Sequence, residues 1–314
     1  MSLITASIAA FVLGIQPARE PDGPASKELR KIRTADQKAR TNLPDKAGMD
    51  AFIREDAKRL ARVRELLKAD KLRTTEDYST AALIFQHGPQ TDDYLIAHEL
   101  SVVAAIKGEH GSMPALAIDR FLSRFGKQRF GTQYALQYSS ESRFGLMEVE
   151  EEGRWAVTES LRLDFFIPSL LVAKEKPPAE AIKICMPQIL SRAETRNSEE
   201  WRASMRALPN HKEIMDLPIT EASLDMAAEF YRADMIFVPE EYTHIARIIA
   251  LDKSAAAQWL AHDLATVALR RGDKSAVDVW RSSFDGALRA VKKPVRYEKR
   301  GATVYPGVWK ALGP

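Results

Sequence analysis

Sliding the sequence 164 residues along itself aligns residues 60–109 with 224–273 without a gap, and 14 of these 50 positions are identical, where unrelated sequence of this composition would share roughly 3 to 4. The identities include Tyr78/Tyr242, Ala97/Ala261, His98/His262, Leu100/Leu264 and Gly108/Gly272. With one inserted residue the match extends upstream, placing Leu43-Pro44-Asp45 on Leu208-Pro209-Asn210. A repeat of this length spans several elements, so the two halves are expected to fold alike. Both carry helical spacing. Leu60, Val63, Leu66 and Leu67 fall on one face of residues 48–69, and Leu95, Ile96, Val103 and Ile106 on one side of 92–107.

The pattern predicts further helices at 27–40, 76–87, 112–125, 179–194, 197–207, 221–234, 240–252, 255–271 and 275–290, and a loop from Tyr305 to Pro314. Between the halves the period shortens. Thr132–Tyr138, Phe144–Val149 and Trp155–Thr158 read as short strands, with Glu151-Glu152-Gly153 as a turn. The expected fold is therefore mainly α: two homologous helical domains from an internal duplication, with a small β-hairpin or meander between them. The expected divisions are a signal peptide or tail over 1–26, a first helical repeat over 27–131, a β segment and linker over 132–177, and a degenerate second repeat over 178–314. An apolar stretch from Leu3 to Ile15, broken by Gln16-Pro17, resembles a secretory signal with its exit after Ala18. Cleavage there would place the protein in the periplasm or outside the cell; an uncleaved tail would leave it cytoplasmic.

Composition narrows the function. At 45% hydrophobic and 28% charged residues, with no apolar run of ~18 residues, the sequence contains no transmembrane segment. A single cysteine, Cys185, excludes an intrachain disulfide, a cysteine-based zinc cluster and a C-x-x-C redox pair. A net charge of +3 is too small to argue for nucleic acid, and in the basic run 54–73 acids interleave with the arginines and lysines, as on a solvated helix face. None of the six histidines stands four residues from another, so no metal site is expected. No cofactor is implied: G-x-S-x-G, the P-loop and G-x-G-x-x-G are all absent.

One copy of the repeat serves as a control on the other. Residues shared by both copies fit packing and helix ends: His98 and His262, each followed by an acid (Glu99, Asp263), read as structural polar contacts. Residues confined to the first copy are the functional candidates. Gln86-His87 stand opposite Ala250-Leu251, and Asp119-Arg120 opposite Ser283-Phe284. Lys127 to Gln133 face only Arg296-Tyr297 at a shifted offset. The order Gln86-His87, Lys107-Gly108-Glu109, Asp119-Arg120 and Gln128-Arg129-Phe130-Gly131-Thr132-Gln133 resembles a bacterial family of unknown function whose members carry Q-H, K-G-E, D-R and Q-R-Y-G-T-Q in that order. Asp36-Gln37 with Arg40 is similar to that family's D-Q-x-x-R start. The resemblance covers roughly residues 28–160, with Phe130 in place of the usual Tyr.

Two readings follow. In the first, the protein is a structural module or one that binds a small molecule or a protein partner, with a polar pocket in the first repeat contacted by Gln86, Arg129, Thr132 and Gln133. His87 then caps a helix, and Asp119 pairs with an arginine to lock the loop 127–133. In the second, it is a hydrolase or transferase in which His87 is general acid or base, Asp119 orients it, Arg120 or Arg129 contacts an anion and Gln133 makes a polar contact to substrate.

Overall fold

The computed structural model describes residues 20–41, 45, 47–137, 143–298 and 304–312. The stretch from Leu3 to Ile15 lies outside them, as do Leu43 and Pro44. The chain is mainly α. The first half contains α1 (Ser26–Thr41), α2 (Met49–Lys68), α3 (Thr75–Gln86), α4 (Thr91–Ile106) and α5 (Met113–Leu122). An antiparallel ribbon follows, β1 (Tyr134–Gln137) and β2 (Arg143–Leu146), with Tyr134 opposite Leu146 and Gln137 opposite Arg143. The third expected strand, at Trp155, is instead a turn leading to α6 (Glu159–Asp164) and α7 (Leu170–Glu175). Then come α8 (Pro178–Asn197), α9 (Glu199–Arg206), α10 (Pro209–Asp216), α11 (Leu224–Arg232), α12 (Pro239–Ile249), α13 (Ala255–Arg270), α14 (Val277–Ala290) and α15 (Pro306–Leu312). The expected C-terminal loop is thus partly helical. Pro306 sits in the first turn of α15, where its missing N–H costs nothing, and the helix packs back on α2 and α4.

The aligned halves build matching elements. Helices α4 and α13 begin and end 164 residues apart, α3 and α12 begin 164 apart, and α2 and α11 end 164 apart. The turns match as well. Asp70 and Asp234 adopt φ of 50° and 55°, and Gly108 and Gly272 adopt 105° and 100°, which glycine alone tolerates cheaply. Asp77 accepts from the backbone N–H of Arg73 and Thr74 to start α3, and Glu241 accepts from Phe237 and Val238 to start α12.

The packing departs from two separate domains. One continuous cluster of buried apolar side chains runs through both halves. Within it α4 packs against α13. Every residue from Asp93 to Ala105 and from Ala257 to Leu269 is buried, as expected of helices covered on all sides. Cys185 is buried in a small satellite cluster with Leu163 and Ile189.

Candidate functional site

Asp119 is wholly buried on α5, and both its oxygens are engaged. It accepts from the backbone N–H of Arg129 (2.8 Å), Phe130 (2.9 Å) and Thr132 (2.9 Å), and from the Thr132 hydroxyl (2.8 Å). Burial pushes this carboxyl up, and those four donors oppose the shift. Asp119 does lock the loop 127–133, through backbone N–H groups rather than an arginine side chain. Gln128 completes the lock: its Oε1 accepts from the Gln133 N–H (2.7 Å), and its Nε2 donates to the carbonyls of Gln133 and Met147 (2.9 Å each).

The second half holds the same device, displaced by two residues from the ungapped alignment. Asp285 accepts from the backbone N–H of Arg296 (2.7 Å), Tyr297 (3.0 Å) and Glu298 (2.8 Å). Asp119 is therefore not particular to the first half: its counterpart is Asp285, not the Ser283 that the ungapped alignment sets opposite it. The two loops also cross over. Arg129 donates to Asp263 of α13 (3.0 and 3.2 Å), and Arg296 donates to Glu99 of α4 (2.6 Å to each oxygen). Each acid that follows a shared histidine thus meets an arginine from the opposite half. Burial pushes Asp263 up to about 7 against the pull of Arg129.

Between these pairs lie His98 and His262, with Nε2 atoms 2.8 Å apart. Their Nδ1 atoms lie 2.9 and 3.0 Å from the carbonyls of Pro114 and Trp280, so each Nδ1 carries the hydrogen. Trp259, Trp280 and Phe284 surround the rings. Burial pushes His98 down to about 4 and His262 well below its usual range.

His87 is the candidate that keeps an unassigned ring nitrogen. It ends α3, and its Nδ1 lies 3.2 Å from an oxygen of Asp36 on α1. Asp36 is buried and is held in turn by Arg40 (2.7 Å) and Gln37 (2.9 Å), with Arg59 at 3.7 Å. Arg40 and Arg59 both also reach Asp56. Burial raises the Asp36 carboxyl, but the hydrogen bond from His87, followed by the charge of Arg40 and the Gln37 amide, outweighs it and holds Asp36 below the usual carboxylate range, so it is ionised and accepts the Nδ1 hydrogen of His87. Among the described residues no hydrogen bond is made to His87 Nε2. Burial, aided by the nearby charges of Arg40 and Arg120, lowers the His87 pKa, which leaves the ring neutral and Nε2 a lone-pair acceptor at neutral pH.

Arg120 stands beside this dyad, donating to the Gln86 carbonyl (2.8 Å) and lying over the Tyr94 ring. The Nε2 groups of Gln86 and Gln133 both donate to the Leu116 carbonyl at 3.3 Å, so these two candidates meet, while Thr132 is held by Asp119. Among the described residues nothing donates to either glutamine Oε1, although both are buried. Buried acceptors are rarely left so. The structure thus separates the expected set. His87, Gln86 and Arg120 belong to one neighbourhood, to which Asp36, Arg40 and Arg59 are added, whereas Asp119 and Arg129 are framework. Asp36 and Arg40 carried a signal in the D-Q-x-x-R element, but their role depends on a contact across 51 residues of sequence.

No group of three or more His, Cys, Asp or Glu able to hold a metal ion occurs among the described residues, and no helix there is long and apolar enough to cross a membrane. The basic run on α2 is largely paired within the protein: Lys58 with Glu55, Arg62 with Glu28 and Glu65, and Arg64 with Asp93. No protein-family model, curated protein or solved structure matches this chain.

Proposed function

We propose that the protein is a binding module for a small polar ligand, held in the first half at His87 with Asp36, Arg40, Arg59 and Arg120 around it. The observation that carries this reading is the asymmetric state of His87. One ring nitrogen is anchored on a buried, ionised carboxylate, and the other is left as an acceptor beside guanidinium groups. A ligand with a hydroxyl or protonated amine would donate to Nε2, and an adjacent anionic group would face the arginines. The halves are read as descendants of a duplication. The second kept the framework of Asp285, Arg296 and His262 but has Leu251 where the first has His87. The D-Q-x-x-R and Q-H elements of the bacterial family pattern meet at this site, which supports the same assignment.

The dyad also favours one second reading, hydrolysis or group transfer with His87 as general base, since a carboxylate on Nδ1 is the arrangement that steadies an imidazole for proton transfer. In that reading the orienting acid is Asp36, and Asp119 has no part. Native mass spectrometry after exposure to a cell metabolite extract tests the first reading: wild type should retain a small molecule that His87→Ala and Asp36→Asn release. Retention by all three proteins, or by none, removes it. Turnover of p-nitrophenyl acetate or p-nitrophenyl phosphate by wild type, abolished in both variants, would establish the second.

A further inference from the structure

A second polar cluster lies far along the chain, where α6, α8 and the end of α13 meet. Its centre is Asp164, which accepts from Arg271 (2.6 Å), Arg192 (2.9 Å) and the Tyr242 hydroxyl (2.8 Å), with Arg196 at 3.6 Å. Arg192 and Arg196 also reach Asp234, at 3.2 and 3.1 Å. With Arg270 included, four guanidiniums therefore gather round two carboxylates. A small solvent-open pocket of about 20 Å³ adjoins them, lined by His110, Asp164, Phe166, Ala193, Asn197, Arg270 and Arg271 among others.

Arg270 makes the pocket more than a structural ion-pair network. It donates to the main-chain carbonyl of Asp164 (2.9 Å) and lies over the rings of Phe165 and Phe166, and among the described residues it has no carboxylate within ion-pair distance. Besides Asp164 the acid whose charge bears on it is Glu109, which is tied to Ser79 at 2.6 Å and whose carboxyl burial pushes up. Burial pushes Arg270 down only to about 10, so it stays cationic at neutral pH. Phe166, which forms a wall and stacks on His110, holds φ of 60°.

We infer that this pocket is a second ligand site that takes the phosphoryl group of a small ligand, gripped by the side chains of Arg270 and Arg271, with His110 and Asn197 at its wall. Planar guanidinium forks match phosphoryl oxygens two at a time, and a dianion answers the surplus positive charge that Asp164 and Asp234 leave. No residue of this site is shared with the one at His87.

Isothermal titration of the full chain with inorganic phosphate at constant ionic strength is the test. Wild type should bind in the millimolar range or tighter. Arg270→Gln should weaken binding at least tenfold, while Arg30→Gln, on an arginine of α1 that does not line the pocket, should leave it unchanged. Ala193→Leu, which narrows the pocket and keeps every arginine, should also abolish binding, and it serves if Arg270→Gln fails to fold. Flotation with phosphatidylcholine vesicles holding one-fifth phosphatidic acid distinguishes the source. Capture that is lost in Arg270→Gln assigns the phosphoryl group to a lipid headgroup, and absence of capture with phosphate binding retained assigns it to a soluble ester. Wild type that binds neither phosphate nor vesicles, or variants that bind phosphate as wild type does, would overturn the inference.

Discussion

Acidification should destabilise this protein through the two central histidines. In the unfolded chain each titrates near a pKa of ~6.5. In the folded protein both Nδ1 hydrogens are committed to carbonyls, and the two Nε2 lone pairs face each other at 2.8 Å, so a single added proton could bridge them and a second could not. Burial opposes even the first. Because the folded pKa values are depressed, this contribution to stability is complete above pH ~6.5 and is lost as the pH falls toward about 4. At pH 5 the unfolded state is favoured by ~2 kcal/mol for each proton the folded pair refuses, hence by ~2 kcal/mol if the bridge fills and ~4 kcal/mol if it does not. Urea unfolding at pH 7.5 and 5.0, followed by the fluorescence of Trp259 and Trp280 beside the pair, measures the loss. His98→Gln combined with His262→Gln removes both titrating rings, so its loss over the same interval should be smaller by ~2 to 4 kcal/mol, and the comparison cancels other titrating groups. Equal losses in wild type and variant would refute the reasoning.

Three further outcomes are expected. Asp119→Ala strands three buried backbone N–H groups and a hydroxyl, so it should lower stability by about 3–5 kcal/mol in denaturant unfolding. A loss below ~1 kcal/mol would contradict the loop-locking role. Arg129→Met leaves Asp263 buried without its cation and should cost about 3–5 kcal/mol at neutral pH, whereas Arg129→Met with Asp263→Leu should recover much of that. If the double variant is no better than the single, the pair is not the source of the loss. Because burial raises Asp263 to about 7 against the pull of Arg129, the single variant should hold its carboxyl proton to higher pH still, so its deficit against wild type should grow in mild alkali, where that proton is lost.

Much of the architecture is legible in the sequence because helical spacing and the repeat agree. Leu60 to Leu67 and Leu95 to Ile106 mark buried faces, and the shared glycines mark the turns. Short elements such as α7, α10 and α15 escape, since six to eight residues carry too little periodicity to stand out. The site is less legible because its contacts are long-range. Glu99 and Asp263 visibly need partners, but Arg296 and Arg129 lie 197 and 134 residues away. Without a gap Ser283 stands opposite Asp119, and a slip of two residues between the halves conceals Asp285. The resemblance brought Asp36 and His87 into one pattern without showing that they touch.

The central claim is that Asp36 fixes His87 and leaves Nε2 for a ligand. Long-range proton–nitrogen spectra of the histidine rings at neutral pH measure this most directly. A hydrogen on His87 Nδ1, with Nε2 unprotonated, is expected in wild type, and Asp36→Asn should shift the population toward the Nε2–H form. A wild-type ring that carries its hydrogen on Nε2, unchanged by Asp36→Asn, would contradict the claim.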